Sequence, residues 1–372
     1  MFRNPAVIGV NVKSPNVVAG GPPDRMLQDL GNNIGNILFT ESLYSVLRNS
    51  RRSTYHFASI DFAGCDVVVV AAANWMNSHS DFGALAKRLE QARLPVVICG
   101  IGAQVSPGEK IPSLKDGTLR LIQLAAESSK AISVRGDFSC DVLDEYGIKN
   151  VISTGCPSLL LAGASGPKLR EDSTFSTSDV TLHATRHLFN RSEDGFQNYL
   201  YRQALRLGSD IVLQSELADI YCALDVNLDE SKRGVTEEIF ASAYGEESVL
   251  IKSYLRTHGK VFVRLSDWVE YLITKKFCIG SRVHGTIASL IAGTPAVLMA
   301  HDKRTEEMAI RMGLPFVLEK DVDTSRPLDP KNYYDAEKFK AFVTHYDSYR
   351  RNFISFFDTV GLPFDFEFSG VV

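Results

Sequence analysis

The chain alternates short, almost continuously apolar runs with stretches of helical periodicity, and that rhythm admits few folds. AVIGVNV (6–12), CDVVVVAAA (65–73), PVVICGIGA (95–103), AISVR (131–135) and NVIST (150–154) are rich in β-branched residues. Runs that stay apolar at successive positions belong to strands buried on both faces of a sheet. Helices are predicted between them at about 34–48, 81–93, 115–128 and 137–146. Such alternation predicts an α/β fold, with parallel strands joined by right-handed crossovers into a doubly wound sheet.

The rhythm breaks at GASGPKLREDSTFSTS (163–178), a small and polar stretch that reads as a linker. It then restarts with VTLHAT (180–185), DIVLQS (210–215), KVFVRL (260–265), KFCIGS (276–281) and PAVLMA (295–300). A polar segment at 224–247 interrupts it as a helical insertion or loop, and an amphipathic, aromatic-rich helix is predicted at about 335–358. At 372 residues the chain exceeds the size at which one core keeps growing. Two domains facing a cleft are therefore predicted, over residues 1–170 and 171–372.

Net charge is -4, so no global basic field points to nucleic acid or an acidic membrane surface. Six cysteines without a CxxC pair predict neither disulfides nor a zinc site, and fit a reducing compartment. The apolar run near the N-terminus is too short for a signal peptide's central region, and none reaches the roughly 18 residues of a membrane helix. A cytoplasmic protein without a transmembrane segment is the expectation.

In open parallel sheets ligands bind beyond the carboxyl ends of the strands, which makes each strand-to-helix turn a candidate site. GSRVHGT (280–286) follows KFCIG and precedes an apolar helix predicted to start near Thr286. A turn there needs only glycine and a capping residue, yet this one adds Arg282 and His284. Gly285 would let a ligand approach the backbone, and the free amides at the start of the helix would face an anion. Arg282 offers a planar fork for carboxylate or phosphate, and His284 an imidazole that titrates near neutral pH. AHDKRTEEMA (300–309) sets Lys303 and Arg304 at the next helix start, where either a bound anion or Glu306 and Glu307 can offset them. Arg135 ends a strand in SVRGDFS (133–139) without a local duty. GNNIGNILFTESL (31–43) presents backbone amides and Asn36, ICGIGAQ (98–104) adds Gln104, and His183 ends a strand facing either the cleft or solvent. No histidine spacing suits a metal.

Taken in order, GNNIGN, VVICGIGAQ, SVRGDFSCDVLDEYGI, FCIGSRVHGTIASLIAGTPAVLM and HDK resemble the polysaccharide pyruvyl transferases over about residues 31–315, SRVHG being the most specific element. The resemblance implies two Rossmann-like domains similar to the B-type glycosyltransferases. It also implies transfer of a pyruvyl group from phosphoenolpyruvate to a sugar or glycan acceptor, as a cyclic ketal on two hydroxyls, in surface polysaccharide biosynthesis. Phosphoenolpyruvate would be a co-substrate, with no cofactor and no metal. By position, Arg282 and His284 match the family's donor-site arginine and histidine, Lys303 a lysine common after the following strand, and Arg135 the arginine of the first domain. His284 is thereby the candidate general acid/base. Arg282, Arg135 and Lys303, with Gly285 and Thr286, form the candidate phosphoenolpyruvate site, and Asn36, Gln104 and His183 the acceptor side. The chain departs from the family at Asn36, where many relatives carry Asp, and at AAANWM (71–76), where a glycine cluster is usual.

Two other readings remain at this point. A nucleotide-sugar glycosyltransferase of the same fold commonly places an acid in the helix after this turn, and TIASLIAGTPAVLM contains none. A non-catalytic binding protein of a surface-polysaccharide locus would have no need of Arg282, His284 and Lys303. The sequence specifies neither the acceptor sugar, nor whether it is lipid-linked, nor the oligomeric state.

Overall fold

The computed structural model of the chain describes residues 1–57, 62–105, 109–172, 174–189 and 195–367. Its first half gathers β1 (Pro5–Gly9), β2 (Arg51–Thr54), β3 (Val67–Ala71) and β4 (Val96–Cys99) into a parallel sheet of order β2-β1-β3-β4. β5 (Ile132–Val134) and β6 (Val151–Ser153) pair beside it. The Gly100 and Ile101 amides, 3.0 and 3.1 Å from the Ser133 carbonyl, tie β5 to the end of β4. β3 lies inside the sheet, and its VVVVA run is buried at every position. Removing a valine side chain from water contributes roughly 1.5–3 kcal/mol. Every side chain of this strand therefore favours a two-sided, central place.

The second half holds β7 (Val180–His183), β8 (Asp210–Val212), β9 (Gly259–Lys260), β10 (Phe277–Gly280), β11 (Ala296–Ala300) and β12 (Phe316–Leu318). They form one parallel sheet in the order β12-β11-β10-β7-β8-β9. From β9 inward, the strands occupy places 3-2-1-4-5-6 of this half, the Rossmann order. Strand order therefore reverses between β7 and β10, and in the first sheet between β1 and β3. The crevice beyond the carboxyl ends at such a reversal is where this architecture leaves room for a ligand.

Some elements differ from the sequence expectation. Of KVFVRL, predicted as a strand, only Lys260 lies in β9 (Gly259–Lys260), and Leu265 already opens the helix Leu265–Ile273. β9 sits at the sheet's edge with β8 as its sole neighbour, so half of the ladder that would hold a longer run extended is absent. The edge strand β2, RRST, has no apolar run to announce it, and its exposed arginines blunt that edge against further pairing. The polar segment 224–247 contains the helix Glu230–Tyr244. Within 163–178, of which residue 173 lies outside the described residues, the Arg170 guanidinium donates to the Ile273 carbonyl at 2.6 Å and fastens the stretch to the second half. The long helix Ala336–Val360 carries the chain back to the first half. There the Asp365 amide donates to the Val46 carbonyl at 2.8 Å, and the Asp365 carboxylate pairs with Arg48 at 2.7 Å.

Candidate functional site

The helix after β10 runs Val283–Ile291 and begins three residues earlier than expected, because Arg282 takes the N-cap position with extended backbone. All nine of its residues are buried. A helix buried at every position has no solvent face, so it lies inside the molecule with its amino end at the crevice. The Arg282 amide donates to His183 Nδ1 at 3.0 Å. That bond calls for the neutral imidazole, and burial, followed by the charge of Arg282, holds the His183 pKa down to about 3.

Arg282 is more committed than a free anion-binding fork. Its Nε donates to the Ala184 carbonyl at 2.9 Å and its Nη2 to the Arg186 carbonyl at 3.0 Å. The same Nη2 reaches the Ser215 hydroxyl and forms an ion pair with Glu216, a carboxylate 1% exposed. Nη1 is the guanidinium nitrogen without such a bond among the described residues, and the side chain lines the cavity. The two-pronged grip expected of Arg282 is thus largely spent on the protein's own carbonyls and Glu216.

The cavity, about 70 Å³, lies between the carboxyl ends of the two sheets. Asn33, Asn36, Asn74 and Arg135 line it from the first half. Thr185, Gln214, Ser281, Arg282, His284, Arg304 and Thr305 line it from the second. Arg135, 1% exposed, is held by its Nε on the Gly100 carbonyl at 2.7 Å, by Nη1 on Asn74 Oδ1 at 3.2 Å and by Nη2 on the Ala72 carbonyl at 3.1 Å. Its guanidinium carbon lies 5.5 Å from the Phe39 ring, whose other neighbour is the His284 ring at 5.8 Å. Phe39 thus contacts both the charge of one half and the imidazole of the other.

His284 sits in a cationic and buried environment. Burial, then the charges of Arg135, Arg304 and Arg282, hold its pKa well below the ordinary histidine value. The imidazole is neutral at physiological pH, a base but not yet an acid, which corrects the expectation of a group titrating near neutrality. Its Nε2 lies 3.7 Å from Cys156 Sγ. The three arginines that disfavour imidazolium are also the groups that an anion in the cavity would neutralise.

The other expected site residues divide. Asn36 lines the cavity, with its Nδ2 donating to the Leu30 carbonyl at 3.0 Å. Lys303 does not: its side chain is 68% exposed and pairs with Glu306 at 3.5 Å on the outer face of its helix. Successive helical residues point about 100° apart, so Arg304, next in sequence, takes the inner face instead. Gly285 gives no room to a ligand, since a Cβ there would stand 2.6 Å from the His183 ring. Thr286 is buried within the helix, its hydroxyl on the Arg282 carbonyl at 3.3 Å. Gln104 is exposed and outside the cavity lining. His183 is wholly buried beneath the turn in the second half, where it supports Arg282 rather than meeting an acceptor. Gln214, Asn33, Asn74 and Thr185 were not singled out as site residues, and Arg304 was named beside Lys303 but given no place in the expected donor site. Each lies just past a strand or at a helix start, but a residue type so common in such turns gives no further signal.

The family model for polysaccharide pyruvyl transferase matches residues 24–303, about three quarters of the chain. No curated protein matches it. Among solved structures, a UDP-N-acetylglucosamine 2-epimerase is 12% identical, covers 97% of this chain and 96% of its own, and superposes with a TM-score of 0.43. A UDP-GlcNAc 2-epimerase from Neisseria meningitidis, bound to UDP-GlcNAc, is 13% identical, with 94% of each chain covered and a TM-score of 0.38. An S. aureus MnaA–UDP complex is 10% identical over 95% of this chain and 98% of that one, with a TM-score of 0.40. The two-sheet parallel fold stands on the strand pairing described above rather than on these likenesses.

Proposed function

Because this chain belongs to the polysaccharide pyruvyl transferase family, we propose that it moves the pyruvyl group of phosphoenolpyruvate onto two hydroxyls of a sugar, releasing phosphate and forming a cyclic ketal. The observation that carries this reading is the convergence of Arg135, Arg282 and Arg304 with His284 at the start of a buried helix, in one cavity between the sheets. A ligand with a carboxylate and a phosphate meets such a site with charge at both ends, and an amino helix end adds to the attraction.

The ketal forms with a simple balance. The methylene carbon of phosphoenolpyruvate gains one proton, two hydroxyl oxygens bond to the adjacent carbon, and the phosphate leaves with the second proton. Neutral His284 has the free nitrogen lone pair to take a hydroxyl proton, though only weakly while its pKa is held down. Once the ligand's anions stand against the three arginines, the penalty on imidazolium falls, and His284 can also deliver a proton to the methylene carbon. The guanidiniums hold the carboxylate and stabilise the departing phosphate. Arg304 takes the place first expected of Lys303. The division into a first domain over residues 1–170 and a second over 171–372 belongs to the same proposal, as does a cytoplasmic location. Among the described residues no helix is long and apolar enough to cross a membrane.

The test is phosphate release from phosphoenolpyruvate with a panel of sugar acceptors, with mass spectrometry of the product. Phosphate released together with a sugar that gains a pyruvyl group supports the reading. Strong thermal stabilisation by UDP- or GDP-sugars and none by phosphoenolpyruvate would replace it with nucleotide-sugar transfer.

A further inference from the structure

Gln214, just beyond β8, is 1% exposed and lines the cavity beside His284, yet neither end of its amide has a hydrogen-bond partner among the described residues. Its place is not accidental to the fold. The Gln214 carbonyl accepts from the Ile34 amide of the first half at 2.8 Å, so the backbone that carries it is tied across the crevice. Its Oε1 and the His284 Nδ1 lie 2.7 and 2.8 Å from the point where a Cβ on Gly35 would stand. Glycine at 35 thus keeps open a small space that both polar atoms border.

A buried amide left unpaired costs about 1–3 kcal/mol. Such a group in a native protein calls for a partner such as an ordered water, an ion or a ligand, and this one borders the cavity where a ligand would sit. The pairing it needs is specific. A carboxylate or phosphate only accepts, so either could satisfy the Nε2 donor and would set negative charge against Oε1. A hydroxyl both donates and accepts, and two neighbouring hydroxyls can give each end of the amide a partner.

We propose that Gln214 is a positioning residue for the sugar acceptor: its Oε1 receives the hydrogen bond of one hydroxyl, its Nε2 donates to the neighbouring one, and together they hold a diol against His284. This rests on the pyruvyl-transfer reading and adds to it which side chain selects the pair of hydroxyls. The anionic donor then lies on the arginine side of the same cavity, and specificity for the acceptor comes from an amide that an analogue lacking either hydroxyl would leave unpaired.

Gln214→Met keeps the length of the side chain and removes both polar atoms. Because no protein group in the described structure binds that amide, the variant should fold and melt at or above the wild-type temperature. Phosphoenolpyruvate affinity, read by calorimetry without acceptor, should be unchanged. The probes for turnover are p-nitrophenyl β-galactoside, β-glucoside and β-mannoside, with phosphate release as the signal. For the one that the wild type uses best, kcat/KM of the acceptor should fall roughly 10- to 100-fold. Gln214→Glu, which keeps an acceptor and loses the donor, should fall comparably and also weaken with rising pH. If Gln214→Met instead weakens phosphoenolpyruvate and spares the acceptor, the amide belongs to the donor site and the proposal is wrong. If it melts well below wild type, Gln214 is structural and the proposal is equally wrong. A wild type that binds phosphoenolpyruvate and turns over acceptors, while both variants match it, overturns this inference alone. A wild type that neither binds phosphoenolpyruvate nor releases phosphate from it overturns the proposed function, and this inference with it.

Discussion

Removing Arg282 should damage the fold before it damages ligand binding. In Arg282→Met the Glu216 carboxylate, 1% exposed, loses its ion-pair partner and keeps the Gln214 and Ser215 amides at 2.8 and 3.0 Å. Leaving one member of a buried pair uncompensated costs about 3–5 kcal/mol, a large share of the roughly 5–15 kcal/mol that holds a folded domain together. The sign of the pH dependence follows from the carboxyl itself. Burial pushes the Glu216 pKa up, but the Arg282 charge and the amide hydrogen bonds outweigh it, and the folded value lies below the ordinary one. In the wild type its contribution is therefore present above the unfolded value near 4.3 and is lost as pH falls through the depressed one. In the variant the Arg282 charge is gone, and burial is opposed only by the Arg186 charge and the amide hydrogen bonds, so the folded value moves up. If it passes the unfolded value, the penalty grows as pH rises from the unfolded value toward the folded one and is complete above it. The stability gap should be larger above the unfolded value near 4.3 than below it, and level off at higher pH. Urea unfolding followed by the fluorescence of buried Trp75 and Trp268, one in each half, measures both halves at once. Adding Glu216→Gln to Arg282→Met should recover part of the loss, since it removes the stranded charge. A gap under about 1 kcal/mol at pH 8, or one independent of pH, would refute the reasoning.

Three further outcomes are expected. His284→Gln should lower turnover by about 10²–10⁴ with little change in phosphoenolpyruvate affinity; in calorimetry across buffers of unequal ionisation heat, the wild type should take up a proton on binding and the variant should not, because anions raise the depressed imidazole pKa. That uptake also makes wild-type affinity strengthen as pH falls. Arg304→Ala should weaken phosphoenolpyruvate binding by about 1.5–3 kcal/mol, the range for a hydrogen bond to a charged group, whereas Lys303→Ala should leave it within about 0.5 kcal/mol, as for an ordinary surface change; equal effects would mean that the outer face of that helix also meets the ligand. Gly35→Ala should reduce turnover and destabilise by about 1–3 kcal/mol, as overpacking does, because its methyl would stand 2.8 Å from the His284 Cβ; a fully active, equally stable variant would show that the space beside Gln214 is not needed.

Much of the architecture was legible because it depends on periodicity. Valine and isoleucine runs of four or five residues, such as VVVVA in β3, can satisfy their side chains only in the middle of a sheet, and helical stretches between them leave parallel pairing as the simple solution. The edge strands were not legible, since β2 and β9 have water or coil on one side and carry no uninterrupted apolar signal. The same division holds for the site. The sequence by itself determined that Arg135, Arg282, His284 and Asn36 stand at the ends of strands or the starts of helices, because chain position alone sets that. It could not determine direction. Whether Lys303 or Arg304 enters the cavity turns on about 100° of helix rotation, and that rotation is decided by which face packs on the sheet. Nor could it show that most of Arg282 is consumed by Glu216 and by the carbonyls of Ala184 and Arg186, or that Gly285 makes room for His183. Those partners lie between 66 and 102 residues away along the chain. Only the closing of β7, β8 and β10 into adjacent strands brings them within reach, so hydrogen-bond partners and charge environment, and with them the neutral state of His284, were decided by tertiary structure alone.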